Sequence, residues 1–202
     1  MMNKRFSIPK IYKKMDERGF FNFKADSYLW LNEMEWFPIN KIINFNYETG
    51  VRKNIIQFAH TARYDQWVWV FDDNNNYQVG FCENVEDKGI YYAKNMEDAI
   101  LRHRIEYVSG NDFYINEIDA HLFSKNESEL KFLLNSWKKR FNGLLCDDYL
   151  NLIDYFTTLN LKKCKDEIDG EWYALISYDE CDELLNKYIK YDMFEKEFPI
   201  YM

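Results

Sequence analysis

At 202 residues, 47% of them hydrophobic, the chain is long enough to bury a real core, which excludes intrinsic disorder. Its formal charge of −8 disfavours direct nucleic-acid binding, because carboxylates repel phosphates, and suits plain solubility or a basic protein partner. No apolar run approaches the length of a membrane span, and no apolar signal core follows the basic start at Lys4, Arg5, Lys10, Lys13 and Lys14, so a cytoplasmic chain without a membrane partner is expected.

The first half mixes strand and helix signals. Residues 20–23 and 28–31 are short aromatic runs, and Lys41 to Phe45 fits strand or helix. Ile55 to Phe58 is a strand pattern. Trp67 to Phe71 is apolar on both faces, with Trp67, Trp69 and Phe71 pointing one way and Val68 and Val70 the other. Such a strand must be covered twice, which places it at the centre of a sheet. Asp72 to Asn76 is a turn cluster, and Tyr77 to Cys82 is the return strand of a hairpin. A short strand follows at Gly89 to Tyr92.

Helices dominate thereafter. Asn95 is placed to cap a helix with Asp98 in its first turn. Met96, Ala99, Ile100, His103 and Tyr107 share a stripe on it, and Ser109-Gly110-Asn111 breaks it. Ser124 with Glu127 makes a capping-box pattern ahead of Leu130, Leu133, Leu134, Trp137 and Phe141, and Asn142-Gly143 stops that helix. Tyr149, Leu152, Ile153 and Phe156 form another stripe. Leu159 to Cys164 and Trp172 to Ser177 can pair across a turn at Asp169-Gly170. Ser177 with Glu180 repeats the capping box before Cys181, Leu184, Leu185 and Tyr188. The predicted fold is α+β: a twisted, mostly antiparallel sheet with flanking helices over residues 1–115, and a helix-rich C-terminal extension over 116–202.

Motifs for chemistry are sparse. No phosphate-binding glycine loop, zinc-protease helix or serine elbow occurs. The scattered Cys82, Cys146, Cys164 and Cys181 form no C-x-x-C pair, and free buried thiols are expected. His103 sits on an apolar stripe, as a packed helix histidine does, and His121 has nothing specific around it. His60 shares the corner between two strands with Thr61, Arg63, Tyr64 and Asp65. Those side chains suit a small anion or polar ligand. They equally suit one another, with Asp65 accepting from backbone N–H groups at the turn. Acidic pairs such as Asp147-Asp148 and Asp179-Glu180 fit helix starts, and Glu83, Glu86 and Asp87 form an acidic loop. The aromatic content of 19% serves either a core or a recognition surface. No metal or cofactor is expected.

The run Ile56-Gln57-Phe58-Ala59-His60-Thr61, followed by Asp65-x-Trp67-x-Trp69, resembles the SUKH superfamily, in which an apolar strand ends in a Pro-Phe-Ala type segment before a Gly-Gly-Asp-like corner. Tyr91-Tyr92-Ala93-Lys94-Asn95 with Met96-Glu97-Asp98-Ala99-Ile100, and Met34-Glu35-Trp36-Phe37-Pro38 with Ile42-Ile43-Asn44-Phe45, are similar to that family's flanking segments. The resemblance covers about residues 28–110. Gln57 departs from the usual proline, and Arg63-Tyr64 replaces small residues, which implies a wider corner because Tyr is costly at positive φ. The resemblance implies a non-catalytic immunity protein that binds a cognate toxin. The corner and its neighbours, His60, Arg63, Tyr64, Asp65 and Glu83, are the expected contacts, and the acidic charge suits a basic, nuclease-like partner. A fungal relative that regulates cell-wall synthesis implies a general interaction module instead. Binding of a small ligand at the corner is a third expectation.

Overall fold

The strand with the double tryptophan lies inside a sheet whose two faces are both covered. In this computed structural model the described residues are 6–22, 24, 34–43, 50–61, 63–84, 86–110, 127–165 and 171–201. The aromatic run at 28–31, His121, Ser124 and the turn at 169–170 lie outside them. The elements in chain order are α1 (Lys10–Glu17), β1 (Glu35–Trp36), α2 (Ile39–Ile43), β2 (Ile55–His60), β3 (Gln66–Phe71), β4 (Tyr77–Cys82), β5 (Lys88–Ala93), α3 (Met96–Ser109), α4 (Glu127–Phe141), α5 (Asp147–Thr158), β6 (Lys162–Lys165), β7 (Glu171–Ala174), α6 (Tyr178–Tyr188) and β8 (Glu197–Pro199). The six-stranded sheet runs β1-β2-β3-β4-β5-β8 with each pairing antiparallel, and β6 pairs with β7 in a separate hairpin. The architecture is α+β, with helices concentrated in the C-terminal part.

The chain forms two compact units. One combines the residues before Ile100 with the C-terminal stretch from Tyr191, and the other is Ile100–Lys190. In the first, the alternation along β3 sorts two cores. Trp67 meets Tyr92 edge to face at 4.7 Å, Trp69 stacks on Phe58 at 4.9 Å, and Phe71 stacks on Phe6 at 4.8 Å. Val68 and Val70 face the other way, into a cluster with Ile55, Cys82, Phe198 and Ile200. Full burial of one such side chain stabilises by about 1.5–3 kcal/mol, so β3 alone anchors both layers.

The register between β2 and β3 slips between Gln57 and Ala59, which makes Phe58 the extra residue of a bulge. A bulge leaves a carbonyl outside the ladder, and here two donors take it. Phe37 N–H donates to the Phe58 oxygen at 2.8 Å, and the Tyr12 hydroxyl lies 3.0 Å from it and 2.7 Å from the Phe37 oxygen. Tyr12 sits on α1, a helix not anticipated from the sequence, and its ring meets Trp69 edge-on at 4.8 Å. Complete burial holds its phenol well above the ordinary range. Of the strand-or-helix stretch Lys41 to Phe45, the described part belongs to the short helix α2, and residues 44 and 45 lie outside the described residues.

The C-terminal stretch returns to the sheet. β8 pairs with β5, and Tyr201 then bridges back to Val51. Phe198 fills the space left by two glycines. A Cβ on Gly80 would lie 2.7 Å from its ring, and one on Gly89 only 2.4 Å. The ring therefore occupies the volume that side chains there would need.

The second unit follows its sequence signals closely. Asn95 Oδ1 accepts from Asp98 N–H at 2.8 Å and caps α3, the helix that leads into this unit. Gly143, at φ +69°, ends α4 beside Asn142. Ser177 and Glu180 make both bonds of the capping box, and Lys162 pairs with Glu180 and holds its carboxyl below the usual range. Along α3, Arg102 and Glu106 form a buried ion pair at 2.7 Å, and the Arg104 guanidinium lies 3.4 Å from the centre of the Trp137 ring. The Trp172 indole donates to the Ser109 carbonyl at 2.9 Å. Of the expected stripe on α6, Cys181 is buried while Leu184, Leu185 and Tyr188 are half-buried. The cysteines are free thiols; Cys82, Cys164 and Cys181 are buried as expected, but Cys146 is exposed because it stands just ahead of α5 on the surface.

Candidate functional site

The corner between β2 and β3 is built from its own side chains. The Thr61 hydroxyl donates to Asp65 Oδ2 at 3.0 Å and accepts from the Asp65 N–H at 3.1 Å. Thr61 N–H donates to the Asp65 carbonyl at 2.9 Å, and Tyr64 N–H to the Thr61 carbonyl at 3.0 Å. Asp65 Oδ1 accepts from the Asn84 N–H at 3.1 Å, which ties the corner to the loop after β4. Asp65 is therefore a structural acceptor on both oxygens.

These bonds close a tight turn in which Tyr64 has φ +68°. The expectation of a wider corner is corrected here. Tyrosine occupies the left-handed backbone that glycine would adopt without strain, at a cost of about 1–2 kcal/mol. The ring is not repaid by burial, since it is 67% exposed. It rests on the His60 imidazole, with ring centroids 5.8 Å apart and planes 26° from parallel.

His60 is fixed from several sides. Its Nδ1 lies 2.9 Å from the Thr61 carbonyl, which can only accept, so Nδ1 carries a proton. Its Nε2 lies 3.4 Å from Glu35 Oε2. Glu35 also pairs with Lys41 at 2.8 Å, and that ammonium holds the Glu35 carboxyl below the ordinary carboxylate range. Phe37 meets the imidazole edge-on at 5.4 Å.

A cleft of about 330 Å³ opens beside this corner. Its floor comes from the inner face of the sheet, at Ile55, Gln57 and Val68, and its rim carries His60, Tyr64, Glu83, Glu86 and Tyr201. The most exposed large apolar side chains described in the first unit are Tyr64 and Tyr201, the latter 44% exposed, and both stand on this rim. Glu83 and Glu86 face it from the loop that Asp65 anchors, and Glu86 N–H closes on the Glu83 carbonyl at 3.2 Å.

Of the five residues singled out in the sequence, the structure brings His60, Tyr64 and Glu83 to one cleft. Arg63 is exposed on the corner but does not line it, and Asp65 is consumed within the turn. His60, Arg63 and Asp65 thus do not converge as a ligand pocket would require. Sequence reasoning missed Tyr201 and Glu35, because nothing local shows that residue 201 bridges back to Val51 or that β1 brings Glu35 opposite His60. Among the described residues, no group of three or more His, Cys, Asp or Glu side chains could hold a metal ion, and no helix is long and apolar enough to cross a membrane. Comparison with family models, curated proteins and solved structures finds no match.

Proposed function

We propose that this chain is a non-catalytic immunity protein of the SUKH kind, acting in the cytoplasm, which binds a cognate toxin through the cleft beside Tyr64 and covers the toxin's working surface. One observation carries the reading: an exposed aromatic ring is held out on strained backbone at the rim of an acid-edged cleft. Strain retained at an exposed position, where relaxation to glycine was open, accords with selection for the ring itself. Tyrosine supplies contact area at low entropic cost, and Tyr201 and the cleft floor extend that area. Glu83 and Glu86 steer a basic partner, in keeping with the net charge of −8.

Co-expression tests the proposal. The chain is expressed with the toxin encoded beside its gene, and survival is scored for wild type, Tyr64→Ala and a Glu83→Lys/Glu86→Lys pair. Protection by wild type that both variants lose supports the reading. Failure of the wild-type chain to protect, or full protection by both variants, contradicts it.

A further inference from the structure

A second cleft, of about 810 Å³, opens at another part of the same sheet face. We propose that it binds a small organic anion, a phosphate or carboxylate carried on a flat apolar body. This site adjoins the Tyr64 cleft, sharing Ile55 with it, but carries its own charged groups and does not depend on the proposed immunity role.

The pairing register explains the lining. Gln78 stands opposite Val70, and Tyr91 opposite Gly80, which itself stands opposite Val68, so all share one face of the sheet. Tyr91 provides aromatic wall beside Phe198, while Phe71 and Tyr77 border the cleft with their rings on the opposite face, against Phe6 and Trp69. The volume falls in the range of small-molecule sites, and the mix of aromatic surface with a few polar groups is their usual composition.

The charges decide the class of ligand. Two carboxylates and two cations line the cleft. Both carboxylates are already engaged. Asp72 Oδ1 accepts from the N–H groups of Asn74 and Asn76 at 2.9 and 2.8 Å, its Oδ2 accepts from the Asn76 side chain at 3.0 Å, and Glu197 pairs with Lys88 at 2.6 Å. Among the described residues, neither Arg52 nor Lys94 forms an ion pair with a carboxylate. These two cations line one cavity without a carboxylate partner among the described residues, in a chain of net charge −8.

Their placement is fixed by the backbone. Arg52 N–H donates to the Ile200 carbonyl at 2.9 Å, and its carbonyl accepts from Ile55 N–H at 3.1 Å. Its guanidinium is near enough to the Tyr91 phenol to work against the rise that burial imposes on that group. Lys94 follows β5 directly, ahead of the Asn95 cap of α3. A guanidinium fork matches an oxyanion in two directions and an ammonium adds a point charge, while the Gln78 amide offers a donor that needs no charge. An apolar ring attached to the oxyanion would lie along Tyr91 and Phe198.

Amide chemical shifts of the full chain, followed by NMR during titration with phenyl phosphate, benzoate and phenol, test the proposal. The expected result is saturable shifts at Gln78, Tyr91, Lys94 and Asn95 with at least one of the two anions, and a roughly tenfold or greater loss of affinity in Arg52→Gln and in Lys94→Gln. The tighter of the two anions identifies the oxyanion. Lys94 is exposed, so Lys94→Gln reports on binding even if Arg52→Gln disturbs the fold. The proposal is overturned if neither anion shifts these amides saturably at millimolar concentration, if phenol binds as tightly as the anions, or if a folded Lys94→Gln chain binds unchanged.

Discussion

The Tyr64 ring lies over the His60 imidazole at 5.8 Å, on a backbone that places Tyr64 at φ +68°. The two residues are joined by the corner they bound, and the corner is held by Asp65 rather than by packing. A strained residue thus gains an ordered support, and the support is itself fixed by the Thr61 carbonyl and the Phe37 ring. The relationship separates what the corner does for the fold from what it presents to solvent.

The fold half of that relationship is testable at Asp65. Replacing Asp65 with Ala removes acceptors for the Thr61 hydroxyl and the Asn84 N–H. A loss of about 1–3 kcal/mol is expected, read from the midpoint of urea unfolding at unchanged slope. Asp65→Asn keeps one acceptor oxygen and loses less. A fully stable Asp65→Ala chain would mean that the corner is held by something else.

Phe198 and Gly89 make a second pair. Gly89→Ala places a Cβ 2.4 Å from the Phe198 ring and 2.7 Å from Cys82 Sγ, so these packed side chains must shift to admit it. The expected cost is about 1–3 kcal/mol. Combined with Phe198→Leu, which frees the space, the two changes cost less than their sum. Strict additivity would show that the ring and the glycine do not share that volume.

Much of this was legible in the chain and some was not. The double-tryptophan strand announced its central position because only a strand covered on both faces tolerates Trp67-Val-Trp-Val-Phe71. Capping patterns located helix starts at Asn95 and Ser177 because those bonds are local. Strand β8 and the Tyr201 bridge were not visible, since each is fixed by contacts distant in sequence; helix α1 does carry a helical stripe at Ile11, Tyr12 and Met15, but only over two turns and with basic residues between. At the corner, the residue types pointed to a tight, self-bonded turn around Asp65, yet Arg63-Tyr64 argued against positive φ. The structure adopts it regardless, because five or more surrounding bonds and one ring stack are worth more than the strain of one residue.

His103 sets a pH dependence. It is buried, neither ring nitrogen has a hydrogen-bond partner among the described residues, and desolvation, aided by the Arg104 charge, holds its pKa well below the ordinary value. The sign follows from proton binding. Between the lowered folded value and the unfolded value of about 6.5 the unfolded chain binds the extra proton, so stability is fully present above that pH and falls as pH drops. The slope this histidine adds is about 1.4 kcal/mol per pH unit. Urea unfolding of wild type and His103→Leu from pH 7.5 to 5 checks it, with the variant expected to lose that part of the slope. Identical slopes would place His103 in contact with water.

Salt reports on the acidic rim. If Glu83 and Glu86 steer a basic toxin, raising ionic strength slows association far more than it speeds dissociation. Stopped-flow association at two salt concentrations measures this. Glu83→Lys/Glu86→Lys should abolish or invert the dependence, and an unchanged dependence would move the binding surface elsewhere.

On the proposed immunity role, affinity of the cognate toxin for the Tyr64→Gly chain, measured by calorimetry beside wild type, bears most directly on the central claim. Glycine relieves the positive-φ strain while deleting the ring, so the folded chain should gain about 1 kcal/mol of stability and yet bind roughly thirty-fold or more weakly. Unchanged affinity in a Tyr64→Gly chain would contradict the account, because the ring would then be neither the anchor nor the reason for the strain.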